Sequence, residues 1–321
     1  MKIVFFGTPE FAVTSLDALI REGFDVAAVV TMPDKPAGRG KHLSQSAVKK
    51  YAVEHNLPVL QPEKLKDPEF VDALKAIGAD LFIVIAFRMM PEIVWSMPPL
   101  GTFNLHASLL PLYRGAAPIN RAVMNGDSRT GVTTFMLKHE IDTGDILQQE
   151  SIEIGPDENV GSVHDRLMEL GAALTVDTVR HLEAGDLQPI PQDKISHATP
   201  TAAPKIFKED CRINWQSPSA TIHNHVRGLS PYPAAWSELW LHPESATPDS
   251  SVKIMQTRLT DVSADLAPGQ LAIIGKKAFA GTGDGIIELI QVQPAGKRPM
   301  NASDFLRGLR IGQDGRNPLL R

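Results

Sequence analysis

Residues 1–30 read MKIVFFGTPEFAVTSLDALIREGFDVAAVV and contain one complete strand-helix-strand pattern. Residues 2–6 are rich in β-branched and aromatic side chains, which predicts a short buried strand. Apolar residues between 11 and 20 recur at near-helical spacing and Gly23 follows them, which predicts a helix that ends there. Residues 26–30 predict a second buried strand. A unit of this length implies two parallel strands and therefore a doubly wound, mostly parallel α/β sheet.

The same alternation of strands and helices continues to about residue 190. Further helices are predicted at 46–55, 69–77, 117–124 and 160–182, and further strands at 59–60, 81–86, 101–106 and 132–137. The later part of the chain changes to short strands separated by Gly and Pro turns, at 252–259, 269–274, 277–280 and 285–292, with a helix at 302–309. Short strands at this spacing predict a small β-barrel, for which the OB type is the best fit.

These patterns divide the chain into three segments. We predict an α/β domain at 1–190 and an OB-like barrel domain at 207–321. Between them, residues 191–206 are polar, rich in Pro and Ala, and without a sustained period, which predicts a linker.

The composition is that of an ordinary globular protein, with 43% hydrophobic and 21% charged residues among 321. The longest apolar run, 81–87, is far shorter than the ~20 residues that span a bilayer, and no secretory cleavage pattern follows the N-terminus. Cys211 is the single cysteine, which excludes an internal disulfide framework and a metal site of several thiolates. We expect a cytoplasmic protein without a membrane segment or a bound metal.

Charge is distributed unevenly along the chain. The formal net charge is -5, but residues 1–206 hold 19 basic and 26 acidic side chains, whereas residues 207–321 hold 13 and 11. A weakly basic C-terminal module is compatible with a nucleic-acid partner, which the whole-chain charge would argue against.

The first strand ends in Gly7-Thr8-Pro9, at the position where a dinucleotide-binding protein has its glycine fingerprint. The fingerprint G-x-G-x-x-G is absent, and Pro9 stands where the backbone would have to approach a pyrophosphate. A nicotinamide-dependent dehydrogenase is therefore a poor interpretation of this fold.

Asn104 and His106 lie two residues apart on a predicted strand, so their side chains project from the same face. The carboxyl end of a strand in such a sheet is where ligands bind. Considered alone, the pair also fits two satisfied polar groups at a strand end. The functional interpretation needs further residues.

Further residues follow in a recognisable order: Ser108-Leu109-Leu110-Pro111, then Arg114-Gly115, and later Asp142-Thr143-Gly144. Together with Asn104-x-His106, this order resembles the formyltransferases that use 10-formyltetrahydrofolate. The resemblance implies catalytic roles for Asn104, His106 and Asp142: an oxyanion donor, an acid or cationic stabiliser, and a carboxylate that favours the imidazolium.

The resemblance also implies a folate site. Its residues would be Phe87, Arg88, Ser108, Leu109, Leu110, Pro111, Thr143 and Gly144. Ala86-Phe87-Arg88 departs from the family here, because the expected pattern is Ala-Tyr-Gly.

Residues 33–41, PDKPAGRGK, resemble the acceptor-stem loop of the branch of this family that acts on initiator methionyl-tRNA. Segments 212–215, 230–233 and 293–297 resemble the second domain of that branch. The resemblance implies that the loop with Arg39 and Lys41 contacts tRNA. From their charge and their place near the linker, Lys205 and Lys208 are further candidate contacts, and we expect a monomer. Each of these cations, taken alone, fits a solvated surface charge equally well.

Two other functions stay open from the sequence. One is the same chemistry on a small amine, such as glycinamide ribonucleotide or an amino sugar, against which the Arg39 loop and the basic second half argue. The other is a noncatalytic RNA-binding protein with this fold, against which Asn104, His106 and Asp142 argue, because binding alone would not require them.

Overall fold

The computed structural model of the chain describes residues 1–37, 42–195, 200–309 and 318–321. Contacts divide these residues into two compact units. The first unit comprises Met1–Gly115, Thr130–Ile152 and Asp165–Ala203, and the second comprises Ala116–Arg129, Glu153–His164 and Pro204–Arg321. The second unit therefore takes two segments from within the predicted first domain, and the domain boundaries inferred from sequence stay a prediction.

Helices and strands follow one another closely along the chain. The helices are α1 (Glu10–Arg21), α2 (Ala47–Glu54), α3 (Pro68–Ile77), α4 (Glu92–Trp95), α5 (Pro118–Met124), α6 (Val160–Ala184), α7 (Ser219–Leu229) and α8 (Ala302–Gly308). The strands of the first half are β1 (Lys2–Gly7), β2 (Asp25–Val30), β3 (Lys35–Ala37), β4 (His42–Ser44), β5 (Val59–Leu60), β6 (Leu81–Ile85), β7 (Thr102–His106), β8 (Arg114–Gly115), β9 (Arg129–Met136) and β10 (Ile146–Glu153). The later strands are β11 (Ala202–Ala203), β12 (Ala235–Trp240), β13 (Ser250–Arg258), β14 (Leu271–Ile274), β15 (Lys277–Gly281), β16 (Ile286–Pro294), β17 (Met300–Asn301) and β18 (Leu319–Leu320).

The main sheet has the strand order β10-β9-β7-β6-β1-β2-β5. The pairs β1–β2, β1–β6, β2–β5 and β6–β7 are parallel, whereas β7–β9 is antiparallel. The sheet is therefore mostly parallel, and the predicted doubly wound α/β fold is confirmed.

Apolar side chains cover both faces of this sheet. Val4 and Phe6 pack in a cluster with Phe70 and Leu74 of α3, whereas Ile3 and Phe5 point to the opposite face and are equally buried. Strands buried on both faces need continuous apolar runs, which explains the composition of residues 2–6 and 81–86.

The second unit contains an antiparallel sheet in the order β14-β15-β16-β13-β12-β18. A bridge between Gln270 and Leu319 joins the two outer strands, so that the sheet closes on itself as the predicted OB-like barrel. Helices α7 and α8 pack on its core through Ile222, Val226 and Leu306. The sequence patterns had not indicated α7 or β12.

Part of the predicted linker belongs to the first unit. Strand β11 pairs in parallel with β8, so that Ala203 lies opposite Gly115. Gly115 has φ +122°, and a Cβ there would lie 2.8 Å from the Ala203 carbonyl oxygen, so this pairing requires glycine. Within the described ranges, no helix is long and apolar enough to cross a membrane.

Candidate active site

The carboxyl ends of the central parallel strands lie along one edge of the main sheet. Gly7 of β1 is opposite Ile85 of β6, and Ile85 is opposite Leu105 of β7. From β1 the chain continues to β2 and β5 on one side of the sheet, whereas β6 and β7 follow on the other side. The direction of the strand order therefore reverses between β1 and β6. Doubly wound sheets bind ligands in the crevice beyond such a reversal.

Asn104 and His106 project from the same face of β7 at this edge. Asn104 is partly exposed, and none of the described residues forms a hydrogen bond with its side-chain amide. His106 is 8% exposed, with its ring edge-on to Phe135. The amide is therefore free to bind a ligand, whereas the imidazole is held by protein.

The two ring nitrogens of His106 face different partners. Nε2–H donates a hydrogen bond to the Tyr113 carbonyl oxygen at 2.8 Å, and this bond sets the tautomer of the neutral ring. Nδ1 lies 3.8 Å from Oδ2 of Asp142. That separation exceeds the length of a hydrogen bond, so the carboxylate faces the ring without bonding to it.

Asp142 is held by a contact from β8 and by its own loop. The Gly115 N–H donates to Oδ2 of Asp142 at 2.8 Å. Asp142 has φ +56°, a backbone conformation that residues other than glycine rarely adopt. Thr143 donates from Oγ1 to the Glu140 carbonyl at 3.0 Å. At Gly144 a Cβ would lie 1.5 Å from the Met136 carbonyl oxygen, so only glycine allows the loop to pass there.

Gln192, which no sequence pattern indicated, joins the parts of this site. Its Nε2 donates to the carbonyl oxygens of Asp142 and Gly144 at 2.9 and 2.8 Å. Its Oε1 accepts from Arg114 Nε and Nη2 at 3.1 and 2.6 Å. The residue is buried within the predicted linker. A single polar residue after Pro189-Ile190-Pro191 carries no periodic signal, so only its contacts could reveal it.

The predicted folate loop is braced by its own hydrogen bonds. Ser108 is fully buried and donates from Oγ to the Leu112 carbonyl at 2.6 Å. Thr133 donates from Oγ1 to the Ser108 carbonyl at 2.6 Å and accepts from the Leu110 N–H at 3.1 Å. Leu110 and Pro111 are buried, while Leu109 is half-buried. The side chains of Ser108, Leu110 and Pro111 therefore shape the loop from inside.

Phe87 and Arg88 follow β6 at the same edge. Phe87 packs edge-on against Phe6 at 5.7 Å between ring centroids. Arg88 donates to the carbonyl oxygens of Pro62 and Glu63, and burial lowers the pKa of its guanidinium. Arg88 thus braces the carboxyl end of β6 against the segment after β5, and Phe87 packs it against β1.

The structure describes two of the four predicted RNA contacts. Arg39 and Lys41 are outside the described residues. Lys205 and Lys208 are exposed in the second unit, where each ammonium group lies 5.5 Å from an aromatic centroid, of Phe207 and Trp236 respectively. No cluster of three or more His, Cys, Asp or Glu side chains suited to a metal ion occurs in the described part of the chain.

Comparison with known proteins identifies the class of this site. A family described as "Formyl transferase" matches residues 1–179, and one described as "Formyl transferase, C-terminal domain" matches residues 205–310. The chain belongs to the formyl transferase family and is an enzyme of that kind, as the order of its motifs had indicated.

The curated relatives are more specific. The chain is 51% identical over 313 residues to a methionyl-tRNA formyltransferase from Bacteroides fragilis, covering 97% of this chain and 96% of the relative. It is 46% identical over 318 residues to a methionyl-tRNA formyltransferase from Flavobacterium johnsoniae, covering 98% of each chain.

Solved structures share the fold at lower identity. HypX from Aquifex aeolicus, in complex with tetrahydrofolic acid, has a TM-score of 0.64 at 18% identity and covers 97% of this chain but 48% of its own. An N-formyltransferase from Helicobacter canadensis, in complex with folinic acid and dTDP-3-aminofucose, has a TM-score of 0.63 at 19% identity, covering 92% and 99%.

Proposed function

We propose that this enzyme transfers the formyl group of 10-formyltetrahydrofolate to the amino group of methionine on initiator methionyl-tRNA. The observation that carries the proposal is the pairing of His106 with Asp142 beside the free amide of Asn104, at the carboxyl edge of the sheet. The names of the curated relatives and the folate-type ligands of the similar structures support the choice of substrates.

Formyl transfer makes three demands on the enzyme. The neutral amine attacks the formyl carbon and forms a new C–N bond, while the carbonyl oxygen becomes an oxyanion. The bond from that carbon to N10 of the folate then breaks. In balance, the amine loses one proton and N10 gains one.

Asn104 stabilises the oxyanion, because its amide N–H groups can donate hydrogen bonds to it. A preorganised donor of this kind is worth about 10²- to 10³-fold in rate. A protonated His106 adds positive charge at the same place or delivers the proton to N10, a role worth about 10²- to 10⁴-fold.

Asp142 acts through His106. Its Oδ2 faces Nδ1 at 3.8 Å, close enough to stabilise positive charge that develops on the ring during the reaction. The Gly115 N–H holds the carboxylate at that position. Asp142 also accepts the proton released by the amine through a bridging water, so that proton uptake and release occur within one site.

The residues present fit a folate co-substrate at this edge. Leu109 is half-buried in the loop after β7, with its side chain against Gly131 of β9, and residues 86–88 directly follow β6 at the same edge. Flat heterocycles bind where a few polar groups orient them against apolar walls. We assign the folate to Phe87, Arg88, the 108–111 loop, Thr143 and Gly144, largely through their backbone.

The RNA contacts are assigned to Arg39, Lys41, Lys205 and Lys208. Arg39 enters the acceptor end, and Lys205 and Lys208 contact phosphates. The segment before Arg39 is anchored at Asp34, whose carboxylate is bonded by Lys49 Nζ at 2.6 Å and Gln61 Nε2 at 2.8 Å. We further propose that the enzyme acts as a cytoplasmic monomer without a bound metal.

The test is formyl transfer from 10-formyltetrahydrofolate to three acceptors: initiator methionyl-tRNA, elongator methionyl-tRNA and a small amino sugar. We expect transfer to the initiator form. Transfer only to the small amine would keep the chemistry and contradict the RNA assignment, and transfer to none of them by folded protein would contradict both. Arg39→Ala should raise the KM for the tRNA much more than that for the folate.

A further inference from the structure

A cleft of about 460 Å³ lies in the second unit, and none of the residues assigned above to catalysis lines it. It is bounded by the segment 206–211, by the turn before β12 and by β13. Three aromatic residues line it: Phe207, Tyr232 and Trp236. Its volume is in the range of small-ligand sites, ~300 to 1,000 Å³.

Two of the three aromatic side chains of this cleft are unusually exposed. Tyr232 is 82% exposed and Phe207 is 58% exposed. Within the part of the chain that the structure describes, no side chain stacks on the Tyr232 ring. Trp236 is half-buried and donates from Nε1 to the Lys208 carbonyl at 2.9 Å, which fixes its ring. Apolar rings gathered at one exposed place indicate a binding surface.

Cations surround these rings. The ammonium groups of Lys205 and Lys208 lie 5.5 Å from the centroids of Phe207 and Trp236, and Lys253 also lines the cleft. Arg212 lies 5.5 Å from the Trp236 centroid but is paired with Glu238 at 2.7 Å.

Two further carboxylates lie in the segment that bounds the cleft. Asp210 accepts a hydrogen bond from the Phe207 N–H at 2.8 Å, and Glu209 is exposed to solvent. Setting aside the Arg212–Glu238 pair, Lys208 and Lys253 of the lining and Lys205 beside Phe207 give three lysines against these two carboxylates, one of which is already bonded to backbone. This balance favours an anion beside the aromatic rings.

We infer that this cleft binds an unpaired nucleotide of an RNA, with the base stacked on Tyr232 and Phe207 and the adjoining phosphates near Lys208 and Lys253. The inference rests on the proposed RNA substrate and adds a base-stacking site to it. Exposed aromatic faces beside lysines are what single-stranded RNA requires, because every base has a π-face and every linkage has a charge. Paired bases do not offer that face.

The experiment measures binding of a short fluorescent single-stranded oligoadenylate, and of an RNA duplex of equal length, to the full-length protein. Tyr232→Ala should weaken single-strand binding by about 10- to 100-fold and leave duplex binding nearly as it is in the wild type. Tyr232→Phe keeps the ring and should restore affinity to within about twofold of the wild type. Leu259→Ala is the matched control, since Leu259 is 47% exposed in the same unit and lies outside the cleft.

Salt dependence separates stacking from charge. Tyr232→Ala removes no charge and should keep the wild-type slope of log Kd against log salt, whereas Lys208→Gln should lower the slope by about 0.7. The inference is overturned if Tyr232→Ala binds like Leu259→Ala, if Tyr232→Phe is as weak as Tyr232→Ala, or if single-strand and duplex binding fall together.

Failure of the inference and failure of the proposed function are distinguishable. The same proteins are assayed for formyl transfer to initiator methionyl-tRNA, where Tyr232→Ala should raise the KM for the tRNA. If the wild type transfers formyl and the KM is unaltered, only the cleft is wrong. If the wild type binds the oligonucleotide through Tyr232 but transfers no formyl group, only the proposed substrate is wrong.

Discussion

At the scale of single residues, the site depends on residues whose backbone is held in conformations that cost free energy. Ala86, Tyr113 and Asp142 are three of the five described non-glycine residues with positive φ, and all three belong to segments of the catalytic unit. Such conformations cost about 1 to 3 kcal/mol each and persist where surrounding contacts hold them. Here the Tyr113 carbonyl bonds His106 and the Asp142 carboxylate bonds Gly115.

Asp142→Asn tests the charge at this site. Asparagine keeps the shape and an acceptor oxygen for the Gly115 N–H, but it cannot stabilise the imidazolium of His106. We expect kcat to fall by about 10²- to 10⁴-fold, measured in the formyl-transfer assay. Glu140→Gln removes a charge from an exposed position of the same loop and should retain activity. An Asp142→Asn enzyme within a few-fold of wild type would contradict the assigned role.

Gln192→Ala tests a residue that acts through its neighbours. The change leaves the Asp142 and Gly144 carbonyls and the Arg114 guanidinium without their partner. We expect the free energy of unfolding of the first unit to fall by about 1 to 3 kcal/mol in urea titrations, with a lower kcat. Gln188→Ala, at an exposed position of the same segment, is the control. Equal effects of the two changes would refute the assignment.

At the scale of elements, strand β7 and the loops beside it, rather than helices, position the catalytic groups. The 138–145 loop turns back toward β9, and Gly144 passes so close to Met136 that no side chain fits between them. The loop after β7 is held by Thr133 of β9. Rigid strands thus carry one end of each loop, and hydrogen bonds from neighbouring elements hold the other.

Gly144→Ala should displace the loop, because its Cβ would meet backbone atoms that cannot rotate away. We expect a loss of about 1 to 3 kcal/mol in the free energy of unfolding and a large loss of activity, since Asp142 lies two residues away. Gly308→Ala is the control: no atom of the described residues lies within 4 Å of its added Cβ, and α8 should gain up to about 1 kcal/mol. Wild-type stability and activity in Gly144→Ala would count against this account.

Helix α7 carries a buried histidine that makes stability depend on pH. His223 is 4% exposed, its Nε2 donates to the Pro156 carbonyl at 3.2 Å, and burial is the main cause that lowers its pKa. The nearby Asp157 opposes this shift and Arg227 adds to it. Burial lowers the pKa of His225 on the same helix as well.

A histidine whose pKa in the folded protein lies below its unfolded value of ~6.5 makes its full contribution to the free energy of unfolding above pH ~6.5. That contribution is lost as the pH falls through the folded pKa. The free energy of unfolding of the second unit should therefore decrease from pH ~7 to ~5. His223→Gln should flatten this dependence in urea titrations at several pH values, whereas His242→Gln, at a more exposed position, should not. An unaltered slope in His223→Gln would show that another group is responsible.

At the scale of the whole molecule, charge and chemistry are separated along the chain. Residues 1–206 carry the acidic excess and the catalytic groups, and residues 207–321 carry a small basic excess. An acidic chain can bind RNA only if its cations are concentrated locally. Lys205 and Lys208, each beside an aromatic ring, form one such concentration.

Binding of methionyl-tRNA should therefore weaken steeply with salt, because neutralised phosphates release counterions. The double change Lys205→Gln/Lys208→Gln should lower the slope of log Kobs against log salt by about 1.4 to 1.8. Lys64→Gln/Lys66→Gln removes the same charge from exposed positions of the first unit and is the control. Identical slopes for the two double variants would remove Lys205 and Lys208 from the RNA surface.

The sequence by itself determined the doubly wound sheet, the second barrel and the family. Each depends on local order: residues 2–30 contain their own strand-helix-strand period, and Asn104-x-His106 with Ser108-Leu109-Leu110-Pro111 needs no distant partner to be recognised. Local residues also mark the bounds of α3, because Asp67 caps its start and Gly78 adopts a left-handed conformation at its end.

Only the tertiary structure decided how distant residues meet. The folded chain places His106 Nδ1 3.8 Å from Asp142 Oδ2. Gln192, in the predicted linker, bonds the Asp142 carbonyl in the site. Phe207, Tyr232 and Trp236 line one cleft. Periodicity reports which face of an element is buried, because burial recurs with the helix or strand repeat. A single long-range hydrogen bond has no repeat, so its partner becomes visible only when the chain is folded.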